Sequence, residues 1–178
     1  VQTNCLGREY RIMFTKSPLR LSVVLLGAIF CISPIVAGDV FTESRKFLPS
    51  DGASDDRFGT SVSIDGDTMV VGAYTADHTG GVNAGAAYIF VRSGGIWTEQ
   101  TKLTADDAAM DDHFGNSVSL SGNTVVIGAT LADGTVTNSG AAYVFVRDGV
   151  VWTQQDKLIS DDAATNDNFG VAVSLSGD

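Results

Sequence analysis

From Ser61 onward, apolar and polar residues alternate in short runs: "SVSI" at 61–64, "TMVVG" at 68–72, "AAYIFVR" at 86–92 and "IWTEQTKL" at 96–103. Alternation of this kind, rich in β-branched and aromatic residues, predicts β-strands. The pairs Asp65-Gly66, Ser121-Gly122 and Asp148-Gly149 punctuate the runs. Such pairs tolerate positive φ at both positions, which suits the turn of a tight antiparallel hairpin. The third run differs from the rest, because Ala87, Ile89 and Val91 alternate with Ala86, Tyr88 and Phe90, leaving it apolar on both sides. A strand of that kind is covered on both faces. One four-stranded sheet cannot cover both of its own faces, so units must stack face to face on neighbours.

The pattern then recurs. "DDRFGTSVSIDGDTMVVGA" at 55–73 returns as "DDHFGNSVSLSGNTVVIGA" at 111–129 and begins again as "NDNFGVAVSLSGD" at 166–178. Phe58, Phe114 and Phe169 lie 56 and 55 residues apart, and Lys46, Lys102 and Lys157 each stand twelve before them. The units run 46–101, 102–156 and 157–178, the last one truncated. Four antiparallel strands per unit at this period predict an all-β fold of β-propeller blades rather than the shorter coils of a parallel solenoid. Two units and a started third are fewer than the roughly 4–8 blades of a closed ring, so the chain reads as a fragment at both ends.

These residues resemble FG-GAP repeats, the blades of the integrin alpha-chain propeller and of many secreted repeat proteins. The likeness spans 46–178 and rests on Phe58-Gly59, Gly72-Ala73, Phe114-Gly115, Gly128-Ala129 and Phe169-Gly170, with a Tyr-x-Phe strand in each complete copy. It implies a β-propeller. Many members carry a D-x-D-x-D-G calcium loop between the first two strands. Here that connection is only "SIDGDT" or "SLSGNT", too short for a coordinating loop, so the family's calcium ligands are not carried over.

Ahead of the repeats, Lys16 and Arg20 precede an uncharged apolar run from Leu21, then Pro34 and the small pair Ala37-Gly38. That layout predicts a signal peptide over 13–37, with 1–12 as upstream read-through before Met13; an uncleaved short anchor is the alternative. Residues 38–178 carry 7 Lys and Arg against 20 Asp and Glu, a surface unsuited to nucleic acid. Both cysteines, Cys5 and Cys31, precede residue 38, so the predicted mature part has neither thiol chemistry nor a disulfide framework.

Candidate chemistry is sparse. The acidic loops "SDGASDDRFG", "ADDAAMDDHFG" and "SDDAATNDNFG" offer hard oxygen donors for calcium, weighed against solvated loop tips; no residue is assigned as a metal ligand. The recurring Phe58, Phe114 and Phe169 read as core plugs rather than a stacking platform. Trp97 and Trp152 in the fourth strand are expected to pack against the next blade. His78 and His113 occupy non-equivalent places, and no G-x-S-x-G elbow or H-E-x-x-H pair occurs, so the chain reads as a non-enzyme. The divergent loops "YTADHTGGVNA" and "TLADGTVTNS" hint at a ligand-facing end. The expected role is adhesion or binding of an extracellular protein or glycan. The alternatives are a structural spacer, or the non-catalytic part of an extracellular propeller enzyme. Membrane contact is expected only through an uncleaved N-terminal anchor or a segment beyond Asp178.

Overall fold

The computed structural model describes residues 46–177; the predicted read-through segment and signal peptide, 1–12 and 13–37, lie outside the described residues. Eight strands follow one another: β1 (Ser61–Asp65), β2 (Thr68–Ala73), β3 (Ala86–Ser93), β4 (Ile96–Leu103), β5 (Phe114–Ser121), β6 (Thr124–Ala129), β7 (Ala141–Asp148) and β8 (Val151–Leu158). They form two four-stranded antiparallel sheets of order β1-β2-β3-β4 and β5-β6-β7-β8. No helix occurs among the described residues. The fold is all-β, built of propeller-type blades without a closed ring. The last strands run through Leu103 and Leu158, two residues past the repeat boundaries drawn from the sequence.

The turn chemistry differs from expectation by one residue. Asp65 pairs with Thr68, so the loop is Gly66-Asp67, with φ +57 at Gly66 and no positive φ at Asp67. Ser121 pairs with Thr124 and Asp148 with Val151, which makes Gly122 and Gly149 first loop residues as well. Glycine at the first loop position is the other turn that fits strand twist, so one positive φ suffices.

The core is the space between the blades. Val70, Ala87 and Ile89 of the first sheet and Val118, Leu120, Val125, Ile127, Tyr143 and Phe145 of the second belong to one buried cluster. This is why β3 is buried continuously from Ala86 to Phe90: its two sets of alternating side chains serve two different interfaces. Where no blade follows or precedes among the described residues, equivalent positions are more exposed. Val62 and Ile64 are about 40% exposed, whereas their counterparts Val118 and Leu120 are buried. Val70 and Ile89 are fully buried, and their counterparts Val126 and Val144 are only half-buried.

Candidate functional site

The repeated residues converge on the joint between blades. Phe114 is 1% exposed and meets Tyr143 and Phe145 of its own sheet edge-on, at centroid distances of 5.5 and 6.0 Å. Its N–H donates to Ala84 O at 3.0 Å, in the loop of the preceding blade, and Phe114 forms a parallel bridge with Gly85. Phe58 makes the same edge contacts with Tyr88 and Phe90. Phe169 forms the equivalent bridge with Gly140 but is 37% exposed, because residues 159–177 contain no strand to receive it.

The glycines are the other half of this joint. A Cβ on Gly72 would lie 2.0 Å from Gly115 O, and one on Gly128 would lie 1.9 Å from Gly170 O. A Cβ on Gly115 would meet Ala86 O at 2.3 Å, where φ is also +88. The Phe-Gly pair of one blade therefore inserts its backbone against the glycine of the previous blade's Gly-Ala pair, a spacing that admits no side chain. Gly59 has φ +93 and donates its N–H to Gly72 O at 2.9 Å. Ala73 and Ala129, fully buried, close β2 and β6 at the same end.

A second element of the joint was not anticipated. Ser61 Oγ donates to Gly115 O at 2.8 Å, Ser63 Oγ accepts the Leu120 N–H at 3.0 Å and Asp65 Oδ2 accepts the Gly122 N–H at 2.7 Å. Ser117 and Ser119 repeat the first two bonds, on Gly170 O and Leu175 N at 2.7 and 2.9 Å. The polar side of the first strand thus faces the backbone of the next blade rather than water. The signal was present as Ser-x-Ser in "SVSI" and "SVSL", but alternation alone does not distinguish a solvated face from one that pairs with backbone.

The acidic loops are used structurally. Asp56, Asp112 and Asp167 each accept the N–H three residues back, from Ala53, Ala109 and Ala164 at 2.6–2.7 Å. Asp51 binds Lys102 at 2.7 Å and Asp107 binds Lys157 at 2.6 Å, while each lysine sits 5.4 Å from a tyrosine ring, Tyr88 or Tyr143. The hydrogen bond from Lys102 holds the Asp51 carboxyl below its usual range. Burial is the largest single influence on Asp107 and raises it, but the Lys157 bond, the Tyr143 hydroxyl and the lysine's charge together outweigh that and lower it. Burial keeps both tyrosine hydroxyls protonated. Tyr88 donates to Asp51 at 2.8 Å, whereas the Tyr143 hydroxyl, although close enough to Asp107 to feel its charge, makes no hydrogen bond of ordinary geometry. Asp55, Asp111 and Asn166 adopt φ of +64 to +74, a conformation that Asp and Asn both tolerate, which accounts for the exchange of Asp for Asn there.

These donors do not fit calcium. Asp56, Asp112 and Asp167 are bonded to backbone amides and Asp51 and Asp107 to lysines, and among the described residues no three His, Cys, Asp or Glu side chains gather as a metal needs.

The divergent loops share a skeleton despite their sequences. Gly85 and Gly140 donate to Ala76 O and Ala132 O, both at 2.9 Å, and Asp77 and Asp133 accept the N–H of Asn83 and Asn138. Their bases are committed to the joint, and only their tips are free to vary. Trp152 is buried and donates to Gln100 Oε1 at 3.2 Å. Its partner is thus on the preceding blade, not the next one as expected.

In the first of these loops His78 accepts the Gly80 N–H on Nδ1 and places Nε2 3.0 Å from Gly85 O. That pairing requires the neutral Nε2–H tautomer. Burial lowers its pKa from the usual 6.5, and burial lowers His113 as well. Stability from these imidazoles is fully present above 6.5 and is lost as pH falls from there through the folded values. The melting temperature of the full chain is expected to drop between pH 7 and 5, and His78→Gln to flatten that slope. Superimposable pH profiles for the two proteins would contradict this role for His78.

A search of curated proteins found no match to the chain. The family model described as FG-GAP repeat matches residues 41–90, 97–145 and 152–178, each match containing one Phe-Gly pair. The chain belongs to the FG-GAP repeat family.

Proposed function

We propose that the chain is a secreted or surface-displayed propeller segment that recognises an extracellular protein or glycan through the loop end of its blades, with no turnover. The observation that carries this reading is a position fixed in backbone but free in side chain. Arg57, His113 and Asn168 directly precede the Phe-Gly pairs, all with φ between +56 and +61. At the seam Arg57 lies over the Tyr74 ring at 5.3 Å and donates to its hydroxyl, and Tyr74 meets His113 edge-on at 5.1 Å. A guanidinium, a phenol and an imidazole on a rigid scaffold are side chains suited to recognition.

The test immobilises the full chain and probes it with extracellular-matrix proteins and a glycan array. A ligand retained by the native chain and lost by the triple variant Arg57→Ala, Tyr74→Ala, His113→Ala, at unchanged melting temperature, is the expected result. Binding that survives the triple variant would overturn the assignment of the site to this cluster, and no binding at all would move the reading to a structural spacer, which the regularity of the inter-blade joint also favours. Export is tested separately, by fusing residues 1–45 to a reporter; retention of the reporter in the cell would contradict it.

A further inference from the structure

The hairpin end of the sheets, opposite the long loops, carries a shallow depression of about 540 Å³ across the seam. Arg92 and Arg147, equivalent residues of the two blades, both line it. Each lies over a tryptophan, Arg92 at 5.1 Å from Trp97 and Arg147 at 5.3 Å from Trp152. Their electrostatic surroundings differ. Arg92 Nε donates to the Asp67 carboxylate at 2.7 Å, so its charge is compensated. The residue equivalent to Asp67 is Asn123, whose Oδ1 accepts from Arg147 Nε and Nη2 at 3.0 and 2.8 Å. Thr68 Oγ1, from the first blade, accepts from Nη1 at 3.1 Å.

These neutral partners fix the Arg147 guanidinium without cancelling its charge, and among the described residues no carboxylate pairs with it. Of the five N–H donors of an arginine, one on each Nη remains without a protein acceptor. A planar fork with free donors suits a carboxylate. The facing wall is acidic, however. Asp65 uses Oδ2 on the Gly122 N–H and keeps Oδ1 as an acceptor, and Asp67 stands beside it. A bare anion would be opposed by the Asp65 carboxylate, the charge of Asp67 being taken up by Arg92, whereas a ligand bearing a carboxylate at one end and hydroxyl groups at the other satisfies both walls.

We propose that this depression binds a hydroxylated carboxylate of the uronic-acid type, with the carboxylate on Arg147 and hydroxyl groups donating to Asp65 and Asp67. It lies at the other end of the blades from the Arg57–Tyr74–His113 cluster, so either site can fail without the other.

The test is calorimetric titration of the full chain with glucuronate, with acetate and glucose as probes of each half. The expected result is saturable glucuronate binding with a Kd on the order of 1 mM, and at least about tenfold weaker binding of acetate and of glucose. Asn123→Asp supplies Arg147 with the counter-ion that Arg92 already has. It should weaken glucuronate by about tenfold or more while leaving the melting temperature unchanged or raised, since the first blade accommodates a carboxylate there. Arg147→Lys should also weaken binding. Undiminished binding by Asn123→Asp, or no saturable binding by the native chain, would overturn the proposal. Acetate binding as tightly as glucuronate would overturn the role of the acidic wall, and tighter binding of a short aspartate peptide would overturn the sugar assignment.

Discussion

Gly72→Ala is expected to destabilise the full chain by about 3 kcal/mol or more, well above what an exposed strand substitution costs. Gly72 has no positive φ and is paired on both sides within β2, where replacing glycine by alanine would ordinarily help. The penalty therefore comes chiefly from the neighbouring blade, because the new Cβ would sit 2.0 Å from Gly115 O, with Ser61 Oγ of its own sheet at 2.3 Å. Backbone cannot swing aside as a side chain can, so the blades must part. Gly94→Ala is the control, with φ +58 and nothing within 4 Å of the new Cβ; conformational strain alone should cost it about 1 kcal/mol. Urea unfolding of the two variants compares them directly. Equal losses would mean that the joint tolerates separation and that Gly72 is there for another reason.

Phe114→Ala is the second large effect, expected to cost about 3–5 kcal/mol. Phe114 fills the seam between two blades and is 1% exposed, so truncation removes a full aromatic burial and leaves a cavity lined by Tyr143 and Phe145. For a chain of this size that is a fall of roughly 10 °C in melting temperature. Phe169→Ala removes the same residue type from the same motif, but at 37% exposure, and should cost only about 1–2 kcal/mol. The ranking matters more than either value. If Phe169→Ala were as damaging as Phe114→Ala, the cost would follow from the motif and not from the seam.

Much of the fold could be read from the sequence because it is local and repeated. Ser61-Val62-Ser63-Ile64 alternates, Gly66 ends a strand, and the two-sided apolar run Ala86–Phe90 demands a partner on each face. Three features of the joint could not be read this way. Ser63 looks like a solvent-facing residue of an alternating strand, since its acceptor role appears only when the Leu120 N–H of another blade is brought to it. Asp51 and Asp107 look like metal donors in acidic loops. Lysines fifty residues away in sequence, Lys102 and Lys157, take them up because each faces a tyrosine across the β3–β4 or β7–β8 ladder. Asp65-Gly66 looks like the whole turn, and only the strand register shows that Gly66-Asp67 is. In each case the missing information is which backbone lies opposite, which a pattern of residue types does not encode. The same holds for the site readings. Arg92 and Arg147 are indistinguishable as letters, and their difference arises from Asp67 against Asn123 across a turn.

The central claim is that adjacent blades are joined by backbone, through Phe-Gly against Gly-Ala and through serines of one blade on amides of the next. Hydrogen exchange at the Leu120 amide tests it most directly. Leu120 lies on β5, an edge strand of its own sheet, and its N–H reaches only Ser63 Oγ of the other blade, at 3.0 Å. The predicted result is exchange at least about 100-fold slower than in a free peptide, falling sharply in Ser63→Ala while the ladder amides within each blade keep their protection. Exchange of Leu120 at the rate of an open edge strand, unchanged by Ser63→Ala, would mean that the blades are not joined in this way.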